Sequence, residues 1–377
     1  MHLRYGPMQR QTVFWSLAPI LGLFAILFAN CSPAAVRHNS ASGTAPAPHW
    51  NQELAAMYLD SRENWWINNM GKIDHGTSCV SCHTSLPYAL ARPSLDLALG
   101  RSQPSAVETE FLASVRLRVE NSGEMQPFLS GPSQSKGTES VLNVVTLANY
   151  QPSELQVGSD LKMALSTLWK RQIETGPNAG SWNWFSLGNE PWEAPDSRYW
   201  GASLAAATLS KLPKSYLERA DVVPHLQSLK SYLINNRKGQ SLHNLAFLLL
   251  ASKEWPDLLN ATQQQSIIMK LLRAQKRSGG WRLADLIPNW SRNDGTPQHP
   301  GCDAYATAIS TFVLEQSKSG HNFEAVKSGR MWLINHQNQA TGAWQSWSVN
   351  KRRDPASDIG KFMSDAATSY AILALSH

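Results

Sequence analysis

The chain has 377 residues, which is enough for one large domain or two ordinary ones around a sizeable hydrophobic core. Apolar residues make up 42% and charged residues 16% of the chain, a composition that excludes an intrinsically disordered protein. The net charge is +6, but the basic residues are scattered, and their one short run, Lys351 to Arg353, is interpreted as a solvated loop. We therefore expect no nucleic-acid partner.

The N-terminus has the pattern of an export signal. Basic residues precede an apolar run at about residues 13 to 29, and small residues follow it. This predicts that residues 1–31 form a signal peptide or, because the run is just long enough to cross a bilayer, a membrane anchor. Lipidation of Cys31 is an alternative, although Asn30 stands where lipoprotein signals have a small residue.

Residues 32–49 are rich in Ser, Ala, Pro and Gly and are predicted to form a flexible linker. Under each of these interpretations of the N-terminus, the rest of the chain is exported. We therefore expect a periplasmic protein that contacts a membrane only if its first segment is retained or Cys31 carries a lipid.

Cys79, Cys82 and His83 form a Cys-x-x-Cys-His motif, the attachment pattern of c-type haem. Each cysteine can add to one porphyrin vinyl group, and His83 then lies under the iron as proximal ligand. Export favours this interpretation, because c-type haems are attached outside the bacterial cytoplasmic membrane. A redox disulfide or a zinc site stays open as an alternative, although the second Cys-x-x-Cys pair of a strong zinc motif is absent.

The motif predicts one covalently bound haem c. The predicted function is electron transfer or haem-dependent oxidoreduction, and the protein is not expected to be a typical enzyme. Met125, close to Pro127, is the predicted distal iron ligand, with Met70 and His75 as alternatives. A vacant distal position would instead favour ligand or peroxide chemistry. The expected partner is a redox protein or a small electron donor or acceptor.

From residue 50 onward, a polar amphipathic helical segment alternates with a segment rich in small and apolar residues. The polar segments are Asn51 to Asn68, Ser105 to Glu120, Asp160 to Gln172, Pro224 to Asn235, Gln263 to Gln275 and Phe323 to Asn335. The small-residue segments are Thr84 to Ala91, Gly137 to Tyr150, Ser197 to Leu209, Ser241 to Ser252, Asp303 to Ser317 and Ser364 to Ser376.

The small-residue segments are apolar nearly all round, which is typical of helices buried on both sides. Their starts are spaced by about 45 to 60 residues, a period that suits a repeated helix pair. Six pairs predict an all-α fold, an (α/α)6 toroid with the haem motif in its first pair. No segment shows the period-two alternation of a β-strand.

Three junctions between a polar segment and the next small-residue segment share a Gln, Gly, Trp pattern. They run from Gln275 to Trp281, from Gln337 to Trp344 with one extra residue, and from Gln172 to Trp182 as a longer variant. The Gln can hydrogen-bond the start of the next outer helix, the Gly permits the turn, and the Trp stacks beneath it.

The first junction matches the Gln-x-x-x-Gly-x-Trp motif of squalene-hopene-type cyclases. Residues 152–377 therefore resemble the terpenoid cyclase and protein prenyltransferase toroids, and residues 50–151 are predicted to be a haem-attachment region that forms the first two helix pairs. The resemblance implies a toroid whose cavity can take an apolar ligand.

Cyclase chemistry is not implied, because such enzymes use an Asp-x-Asp-Asp acid cluster and only Asp303 stands at the matching place. A helix cap is the alternative role of Asp303. The alternative function is a toroid enzyme that acts on an isoprenoid or a glycan, with Asp303, Glu190 and Glu193 as candidate acids. A zinc-binding or ligand-binding toroid without catalysis is the third interpretation.

The loops before the small-residue segments are aromatic. They contain Trp182, Trp184, Phe185, Trp192, Trp200, Trp281, Trp290, Trp344 and Trp347. We predict that part of this set lines a pocket at the toroid mouth beside the Cys79 motif, and that the remainder stacks beneath the loops.

Overall fold

The computed structural model describes residues 49–70, 72–74, 76–123, 132–151, 156–317 and 322–376. The chain from Pro48 onward forms one compact unit. The predicted signal segment with Cys31, and also His75 and Met125, lie outside the described residues. Among the described helices, none combines the length and the apolar character needed to cross a membrane.

The helices alternate between an outer and an inner set. The outer helices are α1 (Gln52–Asn69), α3 (Ala106–Glu120), α5 (Ser159–Lys170), α8 (Val223–Asn235), α10 (Ala261–Ala274) and α13 (Phe323–His336). The inner helices are α2 (Ser85–Ala98), α4 (Pro132–Asn149), α6 (Ser197–Leu209), α9 (Leu242–Glu254), α12 (Ala304–Gln316) and α14 (Phe362–Leu375). Two short helices, α7 (Lys214–Leu217) and α11 (Leu283–Leu286), lie in connections.

The inner helices form a closed ring. Helix α2 packs against α4, and the contacts continue through α6, α9, α12 and α14 back to α2. The outer helices pack against the outside of this ring, as α13 does against α12 and α14. The predicted all-α (α/α)6 toroid is confirmed.

Burial of the inner helices explains their composition. In α14 every residue from Met363 to Leu375 is buried, because one face contacts outer helices and the other faces the centre of the ring. Small residues allow this close approach on both sides. The polar outer helices bury only part of their surface, as in α13, where Gly329, Trp332 and Leu333 are the buried residues.

Aromatic side chains fill the centre of the ring. The hydroxyl of Tyr305 accepts a hydrogen bond from Trp192 Nε1 at 3.0 Å and lies 2.9 Å from His243 Nε2. Tyr370 packs edge-on against Tyr305 and Phe247, with ring centroids 5.8 and 6.0 Å apart. The inner helices therefore surround a packed core, and cavities lie towards the two mouths.

A glutamine side chain joins the last outer helix to the first. Gln337, which follows α13, donates from Nε2 to the carbonyl oxygen of Asn51 at 2.9 Å and accepts the Asn51 N–H at 2.6 Å. Its Nε2 also donates to the carbonyl oxygen of Gly342 at 2.9 Å. Because Asn51 caps the N-terminus of α1, these bonds close the outer ring.

The other two Gln, Gly, Trp junctions have the same geometry. Gln275 Nε2 donates to the carbonyl oxygens of Gly279 and Ala325, and Gln172 Nε2 to those of Gly180 and His225. The indole N–H groups of Trp182, Trp281 and Trp344 donate to carbonyl oxygens of the preceding outer helices. The structural role predicted for this pattern is therefore observed.

A small hairpin corrects the prediction that the chain has no strands. Strands β1 (Lys72–Asp74) and β2 (Thr77–Ser78) pair antiparallel immediately before Cys79. Strands of three and two residues are too short to show a period-two pattern in the sequence.

The junction glycines predict a matched pair of substitutions. Gly176 and Gly180 both have left-handed φ angles, +84° and +91°, but only at Gly180 would a Cβ collide with a backbone atom, the carbonyl oxygen of Ser228. Gly176→Ala should lower the free energy of unfolding by about 1 kcal/mol through strain alone. Gly180→Ala should lower it by roughly 1–3 kcal/mol more. Urea denaturation measures both, and equal losses would contradict the packing role of Gly180.

Closure of the ring gives a second prediction. Gln337→Leu leaves the buried carbonyl oxygen of Gly342, and the more exposed N–H and carbonyl groups of Asn51, without this partner. It should therefore lower the free energy of unfolding by about 1–3 kcal/mol, most of it from the Gly342 carbonyl. Gln265→Leu, at an exposed position on α10, should change it by less than about 0.5 kcal/mol. Urea denaturation again provides the measurement, and equal values for the two variants would show that Gln337 does not stabilise the closed ring.

Candidate functional site

Residues 79–83 lie at the mouth formed by the N-terminal ends of the inner helices, between β2 and α2. Ser81 Oγ accepts the N–H groups of Thr84 at 3.1 Å and Ser85 at 2.9 Å, which would otherwise lack partners at the start of the helix. Trp66 Nε1 donates to the carbonyl oxygen of Cys79 at 2.9 Å. These bonds hold the segment from both sides.

Hydrogen bonds and burial determine the state of His83. The hydroxyl of Thr84 donates to Asp365 Oδ2 at 2.8 Å, so it can only accept from His83 Nδ1, also at 2.8 Å. This assigns the proton to Nδ1 and leaves a lone pair on Nε2. Burial, assisted by the charges of Arg62 and Arg353, lowers the pKa of His83 to about 3, so the ring is neutral.

Asp365 joins three helices below this mouth. Its carboxylate accepts from Tyr58 and Arg62 on α1, each at 2.8 Å, as well as from Thr84 before α2. Burial raises the pKa of Asp365, while the Arg62 charge and the three hydrogen bonds oppose that rise. The buried ion pair between Arg62 and Asp365, through the bond from Thr84 to Asp365, therefore orients the His83 segment against α14.

Three adjoining cavities, which we call the mouth groove, cross this end of the toroid. The first, about 160 Å³, is lined by Cys79, Cys82, Trp66, Phe185 and other residues. The second, about 130 Å³, shares His83, Glu193 and Phe362 with the first and adds Glu190, Trp192 and Asn350. The third, about 420 Å³, shares Arg353 with the second and contains His299 and Trp347.

Two carboxyl groups line the middle of the mouth groove. Glu190 is buried, and its N–H and carbonyl group are held by the Asn350 side chain at 2.9 and 2.8 Å. Burial, with the nearby carboxylate of Asp196, raises the pKa of Glu190 to about 8. Burial also raises the pKa of Glu193, which a hydrogen bond from Asn189 partly offsets.

Asp303, the third candidate acid, is a helix cap. Its Oδ1 accepts the Ala306 N–H at 3.0 Å and the Ser346 hydroxyl at 3.0 Å, and its Oδ2 accepts the Leu283 N–H at 2.7 Å. Burial raises its pKa to about 6. The Asp303 oxygens hold α11, α12 and a neighbouring loop together. Asp303 therefore has the role of a helix cap, which was the alternative to an acid.

The predicted aromatic set divides by position. Phe185, Trp192 and Trp347 line the mouth groove. The buried packing anchors are Trp182, Trp184, Trp200, Trp281 and Trp344, and the half-buried Trp290 donates from Nε1 to Asn350 Oδ1. Asn350 and Arg353 border the groove but are not among the candidate residues predicted from the sequence. Arg353 belongs to the basic run Lys351 to Arg353, which is predicted to be a solvated loop, and Asn350 directly precedes that run.

Solved structures with a similar fold share little sequence with this chain. A glycosyl hydrolase family 88 protein from Bacteroides vulgatus has a TM-score of 0.51 and 10% identity, over 86% of this chain and 98% of that chain. A possible member of the GH105 family from Klebsiella pneumoniae subsp. pneumoniae MGH 78578 has a TM-score of 0.34 and 12% identity, over 86% of this chain and 81% of that chain. The first likeness shows a shared fold.

No protein-family model matches the chain. No curated protein matches its sequence.

The prediction of a monohaem c-type electron-transfer protein is wrong. The chain shares its fold with a glycosyl hydrolase, and its described residues contain no group of three or more His, Cys, Asp or Glu that could hold a metal ion. The cavity beside Cys79 and Cys82 has a volume of about 160 Å³. Phe362 also stacks on the His83 ring, with centroids 3.7 Å apart.

The predictions of a haem c cofactor, of metal binding and of electron transfer are wrong together with that function. The motif spacing satisfies haem attachment, but the structure uses the same residues for other purposes. Ser81 caps α2, and Cys79, Cys82 and His83 form a wall of the mouth groove.

The cysteines provide a test of this environment. Burial raises the pKa of Cys79 to about 12 and that of Cys82 well above its ordinary value, so both remain thiols at pH 8. Cys302 is only half-buried. Iodoacetamide at pH 8 should therefore alkylate Cys302 in the native protein, and Cys79 and Cys82 only after denaturation, as peptide mass spectrometry would show. Alkylation of Cys79 or Cys82 as fast as Cys302 would contradict the burial described here.

Proposed function

We propose that this protein is a glycan-acting enzyme that hydrolyses a glycosidic bond in the mouth groove. The observation that carries the proposal is the pair of carboxyl groups, Glu190 and Glu193, lining one cavity with raised pKa values. The fold shared with a family 88 glycosyl hydrolase supports it. This is the alternative function from the sequence analysis, with the ligand narrowed to a glycan.

The two carboxyl groups suit different steps. Glycoside hydrolysis usually needs one carboxylic acid to protonate the departing oxygen and one carboxylate to act on the opposite side. With a pKa of about 8, Glu190 carries a proton at neutral pH and is the proposed general acid. Glu193, which accepts a hydrogen bond from Asn189, is the proposed base that activates water.

In the proposed reaction, the Glu190 proton moves to the glycosidic oxygen as its bond to the anomeric carbon breaks. A water oxygen bonds to that carbon, and the released proton passes to Glu193. Asn350 positions the acid by holding the backbone of Glu190 on both its N–H and its carbonyl group.

Aromatic side chains along the groove suit the apolar faces of sugar rings. Trp66 and Phe185 line the first cavity and Trp192 the second. In the third cavity Trp347 is stacked on His299, with centroids 3.7 Å apart, which fixes the indole plane. Export through residues 1–31, which we also propose, would place the enzyme where extracellular glycans are encountered.

Substitution of Glu190 tests the acid. Glu190→Gln should lower kcat on oligosaccharides by about 10²–10⁴-fold, because a poor leaving group needs protonation. The loss should be much smaller on 4-nitrophenyl glycosides, whose leaving group departs without a proton. In the wild type, kcat should fall as the pH rises through about 8, because Glu190 then loses its proton. Reducing-end release from a panel of polysaccharides identifies the substrate for these assays.

Glu174→Gln, at an exposed loop position, is the matched control and should retain wild-type activity. Equal losses on oligosaccharides and on 4-nitrophenyl glycosides would assign Glu190 a structural role. Absence of hydrolysis across the panel by folded wild-type protein would count against the function itself.

A further inference from the structure

A separate cavity opens at the other mouth of the toroid. It has a volume of about 250 Å³ and is formed by the middle and C-terminal parts of five inner helices, α2, α6, α9, α12 and α14, with the end of α4 at its edge. Its apolar lining includes Leu90, Leu204, Phe247, Leu250, Phe312 and Leu373. We call it the C-terminal cavity. It shares no lining residue with the mouth groove.

Charged side chains lie at one side of this apolar cavity. Lys253 Nζ donates to Gln316 Oε1 at 2.9 Å and lies 3.9 Å from Glu254 Oε1. Lys211, the second lysine, forms no ion pair with any residue that the structure describes. Because Glu254 offsets one of the two ammonium groups, the cavity has a surplus of one positive charge.

The surroundings of Lys211 make it a good partner for an anion. Lys211 is exposed at the rim of the cavity, but partial desolvation there and the neighbouring Lys253 lower the pKa of its ammonium group, while Glu254 opposes that shift. An ammonium group that has lost part of its hydration gains more from a bound anion than a fully hydrated one does. Lys211 follows the C-terminus of α6 and Lys253 lies in the last turn of α9, where the helix dipole favours cations.

We propose that the C-terminal cavity binds a single-chain amphipathic carboxylate, with its head at Lys211 and its unbranched hydrocarbon chain among Leu204, Phe247 and Leu373. The apolar walls match the chain, and the single surplus charge matches one carboxylate. The limited volume restricts the ligand to a short or medium chain. This binding site does not depend on the proposed hydrolysis, because none of its residues lines the mouth groove.

Chain length and charge provide the first test. Isothermal titration calorimetry of the full chain with butanoate, hexanoate and octanoate at pH 7.5 should show binding that tightens about fourfold per added methylene group. Octyltrimethylammonium, with a chain one carbon longer and the opposite charge, should bind at least tenfold more weakly than octanoate. Failure of octanoate to bind, or equal binding of octanoate and octyltrimethylammonium, would overturn the proposal.

Variants locate the ligand. Lys211→Met should weaken octanoate binding about tenfold but leave binding of octan-1-ol unchanged, because only the carboxylate uses the ammonium group. Lys238→Met, at an exposed lysine, is the matched control and should bind like the wild type. Ala207→Trp, which places an indole among the lining residues, should abolish binding of both ligands.

Circular dichroism establishes that each variant is folded. If Ala207→Trp does not fold, the affinities of Lys211→Met for octanoate and for octan-1-ol still show whether Lys211 binds the carboxylate. Equal weakening of both ligands, or no weakening of either, would overturn the assignment of the head group to Lys211.

Discussion

The toroid depends on closure, to which the Gln337 side chain contributes in the outer ring. A ring of helix pairs has two unpaired ends unless the last pair packs against the first. Here α14 packs against α2, and Gln337 bonds both the N–H and the carbonyl group of Asn51 at the start of α1. Closure brings residues about three hundred positions apart into contact, as in the bond from Thr84 to Asp365, and so determines where both mouths lie.

The parallel direction of the inner helices makes the two mouths chemically different. At the N-terminal mouth the helix dipoles favour negative charge, which alone would lower the pKa of nearby carboxyl groups. Burial is the larger effect, because the pKa of Glu190 is raised to about 8. At the C-terminal mouth the dipoles favour cations, and Lys211 and Lys253 lie there. One architecture thus places the candidate acids Glu190 and Glu193 at one mouth and the lysines Lys211 and Lys253 at the other.

The Cys79 to His83 segment shows what a spacing motif can establish. The pattern supplies the atoms that a haem would bind, but it does not describe the space around those atoms in the folded protein. Tertiary packing places Phe362 on the His83 ring and restricts the adjacent cavity to about 160 Å³. Similarly, Asp303 reads as a candidate acid in the sequence, but three hydrogen bonds from separate segments make it a cap.

Local patterns in the sequence predicted the twelve long helices, their division into inner and outer sets, and the turn within each Gln, Gly, Trp junction, because each depends on residues close in the chain. The partners of the junction glutamines in the next outer helix, such as Asn51 for Gln337, depend on the tertiary structure. The composition of one aromatic loop supplied Glu190 and Glu193 as candidates. Only the tertiary structure decided that Asn350 and Arg353 border the same groove, because they come from a loop some 160 residues away. Burial raises the pKa of a carboxyl group through neighbours that distant segments contribute, and sequence spacing does not encode them.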